Sequence, residues 1–252
     1  MAINGYILDL DGVIWDGDRK IPHAAERINE LITSGKKVLF LTNNSLRSRD
    51  SYVKRLKEFG ISVAKGQVLV SSYAAGLYMR KMKGASKVYA LGTDGLKEEL
   101  REAGHIIVEK GADFVVCGLD KTVNYEKMTI ALQNIRAGAE LIACAPDVTF
   151  LENGEIKLGS GAIVKVLEAA SGKMATLVGK PSKIIMDVAK DLMGLKPGEC
   201  MVVGDKINTE IVAGKQEGMK TALVLTGETK LEDVKRSEIK PDYVIKDLRE
   251  LA

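Results

Sequence analysis

Short apolar runs alternate along the chain with longer segments of helical spacing. Tyr6–Leu10, Val38–Leu41 and Val68–Val70 read as strands. Between the first two, Ile21–Ser34 carries Ala24, Ile28, Leu31 and Ile32 on one helical face, with Pro22 suited to the first turn and Gly35 to the stop. Arg49–Phe59 is a second amphipathic helix closed by Gly60, and Tyr73–Met82 is a third. The middle of the chain repeats the pattern, with strands at Lys87–Leu91, Phe114–Cys117 and Leu141–Ala143 and helices at Gly95–Ala103, Tyr125–Arg136 and Ala162–Ala170. It then continues through strand Thr176–Val178, helix Ser182–Met193, strand Cys200–Val203, helix Glu210–Glu217, strands Thr221–Leu225 and Tyr243–Ile245, and a short terminal helix. Apolar strands alternating with amphipathic helices predict an α/β fold, a parallel sheet covered on both faces. No Pro-, Gly- or Ser-rich linker and no repeat interrupts it.

Ligands of open parallel sheets gather beyond the carboxyl ends of the strands. Four apolar strands here end in polar residues: Asp9 and Asp11 before Gly12, Thr42 and Asn43, the turn before Lys180, and Gly204-Asp205. These motifs cluster in residues 1–72 and 176–252, which predicts one domain there and a second one, 73–175, between them.

Each strand end has a chemical and a plain structural reading. Of the paired carboxylates, one could attack phosphorus while the other moves a proton to the leaving oxygen and from water. Alternatively the pair only closes a turn. Gly12 lets the backbone turn sharply. Thr42 and Asn43 offer donors for phosphate oxygens, or form an ordinary loop with a helix cap at Ser45 or Ser48. Lys180, fixed by Pro181, could balance charge in a transition state, or be solvated surface. Asp205 suits Mg2+, a hard cation that takes oxygen ligands. Asn208 and Glu210 follow, and Glu210 also suits a helix N-terminus. The four motifs together, in this order and each at a strand end, favour the chemical reading.

Composition narrows the classes. The 252 residues are 46% hydrophobic and 28% charged, with 37 basic against 34 acidic side chains, a net charge of +3. That is too little to argue for nucleic acid. The densest basic run, Arg80-Lys81-Met82-Lys83, reads as a solvated helix end. Cys117, Cys144 and Cys200 lie in apolar runs without a CxxC pair, as expected of buried thiols in a reducing compartment. His23 and His105 stand in no Ser–His or Cys–His pattern. The first residues lack a signal-peptide pattern and no apolar run approaches the ~20 residues that span a bilayer, so no membrane contact and a cytoplasmic location are expected. Gly92-Thr93-Asp94-Gly95 and Gly159-Ser160-Gly161 match no glycine-rich phosphate loop and read as turns.

At these motifs the sequence resembles the haloacid dehalogenase-like (HAD) hydrolase superfamily. Asp9-Leu10-Asp11-Gly12-Val13 resembles its first motif, Thr42-Asn43 the second, Lys180 the third and Gly204-Asp205 the fourth. Leu41-Thr42-Asn43-Asn44-Ser45, Val178-Gly179-Lys180-Pro181-Ser182 and Val203-Gly204-Asp205 are similar to the NagD-type and p-nitrophenyl phosphatase branch. The resemblance implies a Rossmann-like core with an inserted α/β cap. It implies Asp9 as nucleophile and Mg2+ ligand, Asp11 as general acid/base and backbone ligand, and Asp205 as the remaining metal ligand. Thr42, Asn43 and Lys180 would hold the phosphoryl group, and Asn208 would lie near the substrate. As an acid Asp11 must begin protonated, which a neighbouring carboxylate and partial burial would favour.

Two positions depart from the pattern: Glu210 stands where a second aspartate is usual, and Ala145-Pro146-Asp147 where Asn-Pro-Asp is usual. The expected activity is Mg2+-dependent hydrolysis of small phosphate monoesters, whether sugar, nucleotide or aryl. A phosphotransferase or mutase using the same intermediate, and a catalytically silent binding protein, remain alternatives. Asp120 and Asp147 could touch a hydroxylated leaving group or be solvated surface. The expected partner is a small phosphorylated metabolite, with a homodimer through the cap as a possibility.

Overall fold

A computed structural model describes residues 2–152 and 155–251. They form two compact units. The first holds the chain up to Thr42, then Asp50–Leu69, then everything from Lys180; the second holds Asn43–Arg49 and Val70–Gly179.

The first unit is built on strands β1 (Gly5–Leu8), β2 (Lys37–Thr42), β3 (Val68–Val70), β4 (Cys200–Gly204), β5 (Lys220–Val224) and β6 (Tyr243–Ile245). Their order across the sheet is β6-β5-β4-β1-β2-β3. The central strand β1 runs parallel to β4 on one side and β2 on the other, with Leu8 level with Val203 and Phe40. Every residue of β1 and β4 is buried, as continuous apolar runs in a doubly covered sheet must be. Each large apolar side chain taken out of water there contributes about 1.5–3 kcal/mol. The parallel register brings the carboxyl ends of β1, β2 and β4 to the same edge, so Asp9, Thr42 and Asp205 emerge together.

Helices cover this sheet where periodicity places them, with local departures. The helix Ala24–Thr33 buries Ala24, Ile28 and Leu31. It starts later than Pro22 because His23 takes a left-handed backbone (φ 63), which an α-helix does not accommodate. Lys183–Met193 is capped by the Ser182 side chain, which accepts from Ile184 N, and ends at Gly194 in the left-handed region. The segment predicted as one helix over Glu210–Glu217 is a π-helical turn, Ile207–Ile211, followed by a short α-helix, Val212–Gln216. The terminal helix is a single 3-10 turn, Leu248–Glu250. A small antiparallel pair, Trp15–Asp16 with Arg19–Lys20, follows β1.

The second unit has its own five-stranded parallel sheet, in the order Thr176–Leu177, Glu140–Ala143, Phe114–Cys117, Lys87–Leu91, Ile106–Ile107. Val115, Cys117, Ile135, Leu141 and Leu167 lie in its core. Because Thr176–Leu177 belongs to this sheet, the chain returns to the first unit at Lys180 rather than at residue 176. The stretch after Thr42 is also tied to this unit. Ser45 Oγ accepts from Leu119 N at 2.9 Å, and buried Arg49 donates from Nε to Glu99 Oε2 at 2.7 Å. An antiparallel pair, Thr149–Glu152 with Glu155–Leu158, was not legible from spacing. All three cysteines are buried and free, and burial pushes the Cys144 thiol up to about 12. Among the described residues no helix is long and apolar enough to cross a membrane.

Candidate active site

Asp9 follows directly on β1, and its N–H donates to Val203 O at 2.9 Å, which ties it to β4. The residue is 9% exposed. Lys180 is almost wholly buried, and its ammonium donates to Asp9 Oδ1 at 2.7 Å and to Leu41 O, beside Thr42, at 3.1 Å. The same ammonium lies 2.7 Å from Glu210 Oε1. Asp205, just past β4, is buried as well. Asp9, Asp205 and Glu210 bring carboxylate oxygens within 4.8 Å of one another.

Glycines make this crowding possible. Gly12 has φ +78, and a Cβ there would sit 2.4 Å from Asp205 Oδ2. A side chain at Gly12 would therefore strain the backbone and displace the carboxylate at once. A Cβ on Gly204 would sit 2.0 Å from Glu210 Cγ. The bare backbone at Gly204 gives the longer glutamate its room, and the π-helical turn aims it inward. Such turns are frequent at functional sites.

Of the three buried carboxylates, Asp9 and Glu210 pair with the Lys180 ammonium. Burial pushes Asp9 well up from the ordinary carboxylate range; Lys180 pulls it down, and Glu210 and Asp205 push it up further. Burial, with Glu210, raises Asp205 to about 7. Burial alone would lower Lys180, but Asp9 and Glu210 overcome it and hold the ammonium above its usual range. Asp205 Oδ2 accepts from Glu228 N at 2.7 Å, whereas its buried Oδ1 has no partner. A partnerless buried carboxylate oxygen beside two other carboxylates fits a divalent cation that takes oxygen ligands.

The family follows from this geometry and from likeness to known proteins. The haloacid dehalogenase-like hydrolase profile matches residues 6–106, and a HAD-hydrolase-like profile matches residues 177–251. An acid sugar phosphatase of Staphylococcus aureus is 37% identical over 246 residues, covering 97% of this chain and 95% of the relative. The chain belongs to the haloacid dehalogenase-like hydrolases. Solved structures agree. A p-nitrophenyl phosphatase from Archaeoglobus fulgidus superposes with a TM-score of 0.94 at 39% identity, covering 99% of this chain and 98% of the other. NagD from Escherichia coli K-12 does so with 0.92 at 30% identity, covering 100% and 99%. Within its family this hydrolase is a phosphoric monoester hydrolase.

The hydrolase places its other candidate residues unevenly. Asp11 is exposed, not part-buried, and Oδ1 accepts from Trp15 Nε1 at 2.9 Å. Thr42 is buried at the end of β2. Asn43 is half-buried in the second unit, where its carbonyl accepts from Ser71 Oγ at 2.9 Å and its side chain lies beside Gly179. Asn208 is exposed, although Thr209 and Glu210 in the same turn are buried.

In the second unit Asp120 is neither solvated nor free. It is buried and accepts from Thr122 N at 2.8 Å and Lys127 Nζ at 2.8 Å. Asp147 is half-buried, and its carbonyl accepts from Gly161 N at 2.9 Å.

The sequence reading missed the loop after β5. Thr226 Oγ1 donates to Gly12 O at 2.6 Å, and Glu228 N and Thr229 N donate to Asp205. A Cβ on Gly227 would sit 2.1 Å from Asp205 Oδ2. The signal was available: this loop is a fifth strand end carrying a glycine.

Proposed function

We propose that this hydrolase cleaves small phosphate monoesters through an aspartyl-phosphate on Asp9, with Mg2+ as its metal. The observation that supports it most is the buried Lys180 ammonium bridging Asp9 and Glu210, beside the partnerless oxygen of Asp205. Asp9 attacks phosphorus in line, and the bond to the ester oxygen breaks. Asp11 gives its proton to that oxygen, so the leaving group departs as an alcohol. Water then attacks the same phosphorus, Asp11 takes its proton, and the bond to Asp9 breaks to free inorganic phosphate. Lys180 stays protonated throughout and offsets charge on Asp9 and the phosphoryl group. Thr42 and Asn43 would hold phosphoryl oxygens. Asp9, Asp205 and the Asp11 carbonyl would hold Mg2+, with Glu210 beside them. Bound there, the ion would neutralise the carboxylates and polarise the phosphoryl group.

The names of the relatives point to sugar phosphates and aryl phosphates as substrates. A panel of sugar, nucleotide and aryl phosphates, assayed with and without Mg2+, tests the reading. Phosphate release that EDTA abolishes and Mg2+ restores is expected. Transfer of phosphate to an added alcohol without release into water would indicate a phosphotransferase instead.

Metal binding is also expected to depend on pH. In the metal-free protein Asp205 titrates near 7, against an ordinary 3.8. Between those values the folded chain holds a proton that the unfolded chain has released. That contribution to stability is complete below the ordinary value and is lost as pH rises through 7. A divalent cation competes for the same carboxylate. Mg2+ should therefore raise the melting temperature more at about pH 8 than at about pH 5.5. Thermal unfolding with and without Mg2+ measures this, and equal shifts at both pH values would contradict it.

A further inference from the structure

Asp11 is exposed, yet its carboxylate is tethered. The chain leaves β1 through a tight turn in which Ile14 N donates to Leu10 O at 2.9 Å and Gly12 N donates to Trp15 O at 2.7 Å. The turn brings residue 15 back beside residue 11. Trp15 Nε1 then donates to Asp11 Oδ1 at 2.9 Å. An indole nitrogen only donates, so the oxygen that faces it is an acceptor.

The indole itself is fully buried and fixed from several sides. It stacks on Tyr52 with 3° between the planes, and Phe59 meets it edge-on at 5.6 Å between centroids. The Arg55 guanidinium lies 4.3 Å from its centroid. A buried tryptophan needs some acceptor for its N–H, and any backbone carbonyl would serve. Here the acceptor is the carboxylate assigned to proton transfer.

We propose that Trp15 is a positioning residue for Asp11. By occupying Oδ1 it places the transferable proton on Oδ2 and keeps the carboxyl from swinging through solvent. The inference rests on the acid role of Asp11, and its test keeps the two apart. The value of kcat/KM reports phosphoryl transfer to Asp9. An alkyl leaving group, as in a sugar phosphate, needs the proton from Asp11. The p-nitrophenolate leaving group scarcely does.

Trp15→Phe keeps a packed ring and deletes the N–H. Trp15 is the only tryptophan in the chain, so growth of a tryptophan auxotroph on benzothienylalanine makes a second variant with sulfur in place of that N–H. Both should lose about 10- to 100-fold in kcat/KM for a sugar phosphate, part of the full general-acid effect, and far less for p-nitrophenyl phosphate. Asp11→Asn, run in parallel, should show the same split, larger. Equal losses on the two substrates, or none, in both Trp15 variants while Asp11→Asn keeps its split would overturn the role of Trp15 alone. Absence of the split in Asp11→Asn would overturn the acid assignment, and the Trp15 inference with it.

Discussion

Asp9→Asn should abolish turnover, lowering kcat by about 10,000-fold or more, while the chain stays folded. The amide has nearly the shape of the carboxylate but cannot attack phosphorus. The expectation of an intact fold comes from the charge balance. Asp9 is one of three clustered buried carboxylates and shares the Lys180 ammonium with Glu210, and burial already pushes it toward the neutral form. Removing its charge relieves the metal-free cluster, and Lys180 keeps Glu210 at 2.7 Å. The metal-free variant should therefore melt no lower than the parent. Steady-state assays and thermal unfolding check both halves. Near-normal turnover would remove Asp9 from the chemistry, and an unfolded variant would show that the carboxylate is needed for structure.

Lys180→Met should damage both stability and catalysis. The side chain is 2% exposed, and methionine fills a similar unbranched volume. What disappears is the ammonium that joins Asp9 to Glu210. Stranding one side of a buried ion pair typically costs about 3–5 kcal/mol. Protonation of the carboxylates limits that cost, so the loss should be smaller in mild acid than at alkaline pH. The loss of a fixed positive charge facing the phosphoryl group should lower kcat by about 100- to 1,000-fold. Mg2+ should recover part of the stability, since it supplies counter-charge to the same oxygens, and little of the rate. Denaturant unfolding at two pH values, with parallel kinetics, measures this. A variant as stable and as active as the parent would mean that the Lys180 charge serves neither the cluster nor the chemistry.

Much of this was legible because the physics is local. β1 and β4 are buried on both faces, so their sequences are unbroken apolar runs, and the first polar residue after each marks the ligand edge. That rule reached Asp9, Thr42 and Asp205 from the sequence; Lys180 follows Thr176–Leu177, which is a strand of the other sheet. Glu210 was harder, because a glutamate opening a helix looks like a charge placed for the helix dipole. Only the π-helical turn and the bare Gly204 turn it into the cluster. Trp15 was illegible for another reason. It reads as one more apolar residue, and its N–H acquires meaning only when the turn after β1 folds back on Asp11. Arg49 and Glu99 lie 50 positions apart, and no periodicity links them. Burial of Asp11 was expected from its proposed chemistry and is not found. Its carboxylate is exposed and accepts from the Trp15 indole instead.

The intermediate itself is the most direct object to measure. Asp11→Asn lacks the base that activates water, yet it can still form the intermediate from a substrate whose leaving group needs no proton. Mixed with p-nitrophenyl phosphate and Mg2+, then quenched in acid, this variant should gain the mass of one phosphoryl group. Peptide mapping should place that group on Asp9, with a matching burst of p-nitrophenolate. Continued turnover with no phosphoryl group on the chain, or with the group on another residue, would contradict the account.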